Sequence, residues 1–537
     1  MPDQITIKDS LDRYLTELVR LKSIGEQPRR IETARSALSL ISRDTQPELW
    51  AALQGELAIG LAQSPMGDIA ENQELAIYHF QQALQVYKRD TFPTEWARTI
   101  SNLAVVYVDR IRGERAENLE RAIALYQQAL EVYTRNNAPV EWAQTLNNLA
   151  TAYVNRIRGE RAENIELAIS LYQQALEIYT RESFPLEWAR TLGNLAAAYA
   201  NRIRGERAEN IELAISLYQQ ALEVYTRDQQ ALEWARIQNN LAAAYNNRIL
   251  GNRIENINLA ILHYQQALEV YDRQAAPEQW AATQNNLGTA YANRLRGDRA
   301  ENIEQAIVHY ELALQVYTRE AFPEQWAATQ SNLASAYLDR VQGDRAENIE
   351  RAIIHYQSAL EVRTRQAFPL DWAMTQTNLA TAYANRLRGD RAENIEQAIF
   401  HYELALEVYT REAFPVEWAA IQSNLASAHL DRVHGDRAEN IEQAIFHYEL
   451  ALEVRTRQAF PLDWAMTQTN LATAYANRLR GDRAENIEQA IAHYELALQI
   501  YTREEFPEQW ASIQSSMASL REQLSNQQAT QKGKVDT

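Results

Sequence analysis

Tryptophan recurs at a single interval. The 11 Trp run from Trp50, Trp96 and Trp142 to Trp510, each 46 residues after the last. Self-similarity at such a period belongs to stacked repeats, each too small to bury a core alone and each closed by its neighbour. That constraint overrides the roughly three or four separate domains that a chain of this length would otherwise suggest. Other residues keep the same step. Pro stands three before Trp from Pro47 to Pro507, with Ala231 the one exception, and Gly recurs from Gly67 to Gly481.

The interval from Pro323 to Phe368 shows what one unit contains. Pro323 suits a first helical position, where no N–H donor is needed and its φ is already helical. Phe322 and Trp326 straddle that start like a hydrophobic staple. Leu333, Ala336 and Tyr337 follow at helical spacing, so a first helix is predicted over 323–341, ended by Gly343. Asp344, with Glu347 three residues on, caps a second helix. That helix would bury Ala352, Ile353, Tyr356, Ala359 and Leu360 and stop before Phe368 and Pro369. Every unit reads as helix–turn–helix, with no strand pattern.

Composition narrows the function. A formal net charge of −18 argues against a general affinity for nucleic acid or anionic membranes, which comes from neutralising phosphates. There is no Cys, which removes disulfides, zinc–thiolate sites and cysteine nucleophiles. No apolar run reaches the length of about 18 residues needed to span a bilayer, and Met1-Pro2-Asp3-Gln4 opens no secretory signal. The expectation is a cytoplasmic protein with neither nucleic-acid partner nor membrane insertion. No Gly-rich phosphate loop or His-Glu-x-x-His motif occurs, so neither an enzyme nor a cofactor is expected.

Leu103, Ala104 and Tyr107 in one first helix, then Ala122, Tyr126, Ala129 and Leu130 in the second, resemble the tetratricopeptide repeat. That repeat has a usual period of about 34 residues. The additions fall between Tyr107 and Ala122 and between Leu130 and Leu149, and each is close to whole helical turns, which lengthens helices and keeps the apolar seam. The Asn-Leu-Ala wording is also similar to the long repeats of kinesin light chains and of bacterial signalling-associated arrays. The resemblance implies an all-α, right-handed superhelical solenoid whose first helices line a concave groove for a protein or peptide partner. Residues 1–46 read as an N-terminal helical cap split by Gly25 and Pro28, 47–506 as about ten repeats, 507–525 as a capping helix and 526–537 as a disordered tail.

Two polar ladders are the candidate binding residues. The first is Asn102, Asn148, Asn194, Asn240, Asn286, Asn332, Asn378, Asn424 and Asn470. Asn is a mediocre residue inside a helix because its amide competes for backbone groups, so its recurrence calls for a reason. The second, seven residues on and thus on the same helical face, is Asp109, Asn155, Asn201, Asn247, Asn293, Asp339, Asn385, Asp431 and Asn477. The resemblance implies that the first ladder bonds the backbone of a bound peptide. The alternative is that each Asn locks one repeat to the next. A carboxylate clamp is not supported, because the residue four before each Asn is Arg98, Gln144, Arg190 and Arg236, then only Ala or Met from Ala282 to Met466.

Other recurrences have plainer readings. Arg110, Arg112, Glu114 and Arg115 mark the turn and suggest ion pairing within and between repeats. His79, His263, His309, His355, His401, His447 and His493 share one phase. In stacked helices they would stand about 10 Å apart, too far to converge on one metal ion, so no metal site is expected. Residues 359–399 and 451–491 are identical over 41 positions, as though a two-repeat cassette had been duplicated. The function expected is a protein–protein interaction scaffold binding an extended peptide or a partner helix. The alternatives are a self-assembling homo-oligomer and a regulatory subunit of a separately encoded effector such as a peptidase.

Overall fold

The computed structural model describes residues 7–21, 26–64 and 66–535. These form 23 α-helices and no strand, in two units, Met1–Tyr271 and Asp272–Thr537. The first unit holds α1 (Ile7–Arg20), α2 (Gln27–Leu38), α3 (Pro47–Gln63), α4 (Ile69–Val86), α5 (Pro93–Asp109), α6 (Arg115–Leu130), α7 (Pro139–Val154), α8 (Arg161–Leu176), α9 (Pro185–Ala200), α10 (Arg207–Leu222), α11 (Ala231–Asn246) and α12 (Arg253–Leu268). The second holds α13 (Pro277–Ala292), α14 (Arg299–Ala313), α15 (Pro323–Asp339), α16 (Arg345–Leu360), α17 (Pro369–Ala384), α18 (Arg391–Leu406), α19 (Pro415–Asp431), α20 (Arg437–Leu452), α21 (Pro461–Ala476), α22 (Arg483–Ala497) and α23 (Pro507–Val535). Among the described residues no helix is long and apolar enough to cross a membrane.

Each unit is an all-α helical-repeat solenoid. From α3 and α13 onward, each odd-numbered helix packs against the even-numbered helix that follows it, and that helix packs on the next pair within the unit. Successive first helices also approach each other, α3 to α5 and α15 to α17 for instance. They therefore lie on the inner side of each array. The core between them consists of small and aromatic residues in fixed phase, with Ala352, Ile353, Tyr356 and Ala359 on α16 all buried. The Tyr356 hydroxyl lies 2.8 Å from Ser335 Oγ, and Tyr172 lies 2.9 Å from Thr151 Oγ1, so both buried phenols have partners. Burial pushes both up to about 12.

The turn inside each pair rests on an Asn. Asn348 is 2 % exposed, and its Nδ2 donates to the Gln342 carbonyl at 2.9 Å. Its Oδ1 accepts from Arg340 Nη1 at 3.5 Å. Arg340 in turn grips Glu304 of the preceding pair with Nε at 2.6 Å and Nη2 at 2.9 Å. Arg156 and Glu120, and Arg386 and Glu350, make the same two-point contact. The paired guanidinium holds Glu120 and Glu350 below the usual carboxylate range. Gly343, at φ 80°, completes the turn in the left-handed region that favours glycine.

Four features differ from the sequence reading. Helix α15 ends at Asp339, two residues before the expected Val341. Pro28 lies in the first turn of α2, where its missing N–H is harmless, and Gly25 is outside the described residues. Glu56, which stands where later repeats carry Asn, pairs with Arg30 of α2, so the departure serves the contact with the preceding helix. Finally, α23 continues helically to Val535, through the stretch expected to be a disordered tail from 526. Its Gln, Ala and Lys content is compatible with helix.

The seven in-phase histidines sit between the helices of a pair. Each Nδ1 lies 2.5–2.7 Å from the Oε1 of a first-helix Gln, from Gln54 at His79 to Gln468 at His493. Six of the rings stack, for instance His355 on Tyr337 at 5.6 Å and His447 on His429 at 5.3 Å, whereas His79 meets Tyr78 edge-on. Burial lowers His309, His355, His401 and His447 to about 4. Among the described residues no cluster of three or more acidic, His or Cys side chains could hold a metal ion.

Two outcomes follow. Asn348→Ala should cost about 1–3 kcal/mol, the range for leaving buried partners unsatisfied; hydrogen exchange should show lost protection in α15 and α16, with distant repeats unchanged. The second concerns acid. The unfolded chain takes up protons at these histidines from about pH 6.5 downward, whereas the folded chain resists until about pH 4. Stability should therefore fall as pH drops through that window. Replacing His309, His355 and His401 by Gln should flatten the fall, and urea midpoints measured from pH 7 to 4 would reveal it.

Candidate peptide-binding face

The first Asn ladder lies on the inner helices. All nine side chains are half-buried except Asn424, which is exposed. Their partners divide them. Asn194 donates to Asn147 Oδ1 at 3.5 Å and Asn332 donates to Asn285 Oδ1 at 3.2 Å, each reaching the preceding repeat. Asn148, Asn240 and Asn286 accept from the Asn just before them at 3.4–3.5 Å. The amides of Asn102, Asn378, Asn424 and Asn470 bond no described residue. Both readings of the ladder therefore have residues in their favour.

The second ladder is exposed throughout but sits at the ends of the first helices. Asn155, Asn201, Asn385 and Asn477 donate to the carbonyl four residues back at 2.8–3.0 Å. Asn247 and Asn293 occupy the same capping position. Asp109, Asp339 and Asp431 are instead the last residues of α5, α15 and α19. A carboxylate cannot donate to a carbonyl. Asp339 and Asp431 accept from Arg299 and Arg391 of the preceding repeat at 2.8 Å. The alternation of Asn and Asp thus changes how a first helix ends.

Ladder residues also line a cavity in each unit. In the first unit a cavity of about 510 Å³ is bordered by Asn102, Asn148, Gln144, Asp109 and Arg190, over apolar walls from Ile59, Val105, Val106 and Phe80. Arg190 is half-buried and forms no ion pair with any described residue, whereas Arg236 pairs with Glu233 at 2.9 Å. In the second unit a cavity of about 330 Å³ is bordered by Asn470, Thr469, Met466, Tyr501, Glu508 and Ile513. The basic and amide-rich inner surface belongs to the first unit, and Ala or Met takes the Arg position in the second.

The sequence reading missed the buried Asn series from Asn118 to Asn486, which is 1–4 % exposed. Its signal was present, since Ala-Glu-Asn or its variant Ile-Glu-Asn opens every second helix from α6 to α22. The Arg and Glu around it give that stretch the look of a purely ionic turn. Arg110 pairs between repeats as expected, reaching Glu74 of the preceding repeat at 2.7 and 2.8 Å, whereas Arg115 donates to the Val108 carbonyl instead of forming an ion pair.

The tetratricopeptide repeat family matches residues 96–135, 142–182 and 188–228. The Sel1 repeat family matches 60–85, 235–269, 281–315, 327–361, 373–407, 421–453 and 465–499. No curated protein sequence matches the chain significantly. Among solved structures it is similar to the APC/C hetero-tetramer Cut9–Hcn1, at 14 % identity over 96 % of each chain with a TM-score of 0.39. It is similar to a Rap protein complexed with Competence and Sporulation Factor at 13 % identity, over 72 % of this chain and 99 % of that one, TM-score 0.42. BtubC from P. vanneervenii gives 22 % identity over 47 % of this chain and 92 % of that one, TM-score 0.35. Each helix pair from α3–α4 to α21–α22 overlaps a match to one of the two repeat families, and the chain is a tetratricopeptide-type repeat protein.

Proposed function

We propose that this chain is a protein-interaction scaffold whose inner face takes an extended segment of a partner protein, with the first unit's cavity as the main seat. The observation that carries this reading is the lining of that cavity. Asn102, Asn148 and Gln144 offer amide donors and acceptors beside an unpaired Arg190, above an apolar floor. Amides satisfy a peptide backbone without demanding particular side chains, and a concave, mostly preformed site with a few polar groups suits a ligand. The remaining ladder residues, Asn378, Asn424 and Asn470 above all, extend the same chemistry along the second unit. Affinity then accumulates from small contacts, as expected for multivalent capture.

The test compares the wild-type chain with an Asn102→Ala, Asn148→Ala, Arg190→Gln variant as bait in a cell lysate, with captured proteins identified by mass spectrometry. Circular dichroism on both checks that helicity is equal. A protein kept by the wild type and lost by the variant supports the groove. Loss of one amide contact is worth about 1 kcal/mol, so single changes should weaken capture only about fivefold. If both baits retain the same proteins, the inner face is not the binding site. An Asn332, Asn378, Asn424→Ala variant applies the same test to the second unit.

A further inference from the structure

The second helices of the second unit carry a surface for which packing has no use. Val308, Ile354, Phe400 and Phe446 occupy one repeat position on α14, α16, α18 and α20, and are 47, 57, 51 and 52 % exposed. These helices already bury a full apolar face; on α18 it comprises Ile395, Ala398, Ile399, Tyr402 and Ala405. In the first unit the same position holds exposed Tyr78 and Leu262 on α4 and α12, but only Ala124, Ser170 and Ser216 on the three second helices between them, which have the same buried pattern. The bulky side chains are therefore a surplus that the fold does not require. One turn later Leu312, Leu404 and Leu450 are half-buried and widen the row. Phe400 and Phe446 meet His401 and His447 edge-on at 5.2 and 5.4 Å, which fixes the rings while leaving them half open.

The rim of this row is acidic. Glu311, Glu403 and Glu449 follow it by three residues, Glu301 and Glu393 precede it by seven, and all five are exposed without an ion pair to any described residue. The basic side chains of the same helices are engaged: Arg299 with Asp339, Arg391 with Asp431 and Arg351 with Glu347. No Lys occurs between Lys88 and Lys532.

We propose that this row is a second docking surface, which takes a basic amphipathic helix of a partner protein. The partner's apolar residues lie along Val308, Ile354, Phe400 and Phe446, and its Lys or Arg residues face the glutamates. Charge selects this occupant. A second copy of the chain would bring like carboxylates together, and an anionic lipid surface would be repelled by them. Apolar anchors inside a rim of one sign also fit the way helices are recognised by their i, i+3, i+4 and i+7 residues.

The experiment uses the full-length chain and a labelled synthetic helix of Leu and Lys, about 18 residues or five turns long, with a Leu and Glu helix as its counterpart. Anisotropy titrations compare the wild type with a Val308→Ser, Ile354→Ser, Phe400→Ser, Phe446→Ser variant, which adopts the residue that α8 and α10 carry as Ser170 and Ser216. The wild type should bind the Lys helix at least tenfold more tightly than the variant and should ignore the Glu helix. Glu403→Gln with Glu449→Gln should weaken binding several-fold and flatten its salt dependence. The inner-face variant above should bind like the wild type, which separates this surface from the groove. Equal binding by wild type and Ser variant, or none by either, overturns the proposal. So does a dimer in sedimentation that the Ser variant abolishes, since the occupant is then a second copy.

Discussion

The array depends on a buried amide. At each turn an Asn side chain does what the backbone cannot, donating to a carbonyl six residues back that no helix satisfies. The same amide oxygen steadies an Arg, and that Arg reaches a Glu on the preceding repeat. One short chain of bonds therefore sets the angle within a pair and the register between pairs. Charged hydrogen bonds are the stronger kind, and here a half-buried position shields them from much of the solvent screening that weakens surface pairs. Gly could not hold such a turn alone; the left-handed φ lets the chain pass, and the amide keeps it there.

Most of this architecture is legible from periodicity, because a repeat states its own pattern ten times. Pro at a helix start, Gly at a turn and Asp344 at a cap are local signals, and the local geometry follows them. Helix-end details are less legible. Whether a first helix stops just before its Asn, as α17 does at Ala384, or runs through its Asp, as α19 does to Asp431, turns on one donor hydrogen, which only the surrounding carbonyls reveal. The binding face is the hardest to read. The nine ladder Asn look equivalent in sequence, yet some bond an Asn that directly precedes a ladder position and others bond no described residue, because the residue just before each is Asn, Ser, Thr or Gly.

A packing rule between the two helices of a pair is written in the sequence itself. Wherever the second helix has His, from His263 to His493, the first helix has Gln 25 residues earlier. Where it has Leu instead, at Leu125, Leu171 and Leu217, the earlier residue is Ile100, Leu146 or Leu192. Polar meets polar and apolar meets apolar, since a buried ring nitrogen without a partner would be costly. Within a single chain the repeats behave as their own set of relatives. The same reasoning explains Arg363 and Arg455, which stand where other repeats have Tyr and donate to Thr375 and Thr467 at 3.2 and 3.1 Å.

The two-point Arg–Glu contact at the turn spans 36 residues in every repeat that makes it, and the His–Gln contact 25. Nothing in such an interface records how many others lie before or after it. A recombination event that adds or removes a whole 46-residue period therefore leaves every remaining junction chemically complete, and the identical segments at 359–399 and 451–491 are suited to such exchange. Length is the property that this fold leaves free to drift between generations. A lineage can alter the reach of the molecule without inventing a single new contact.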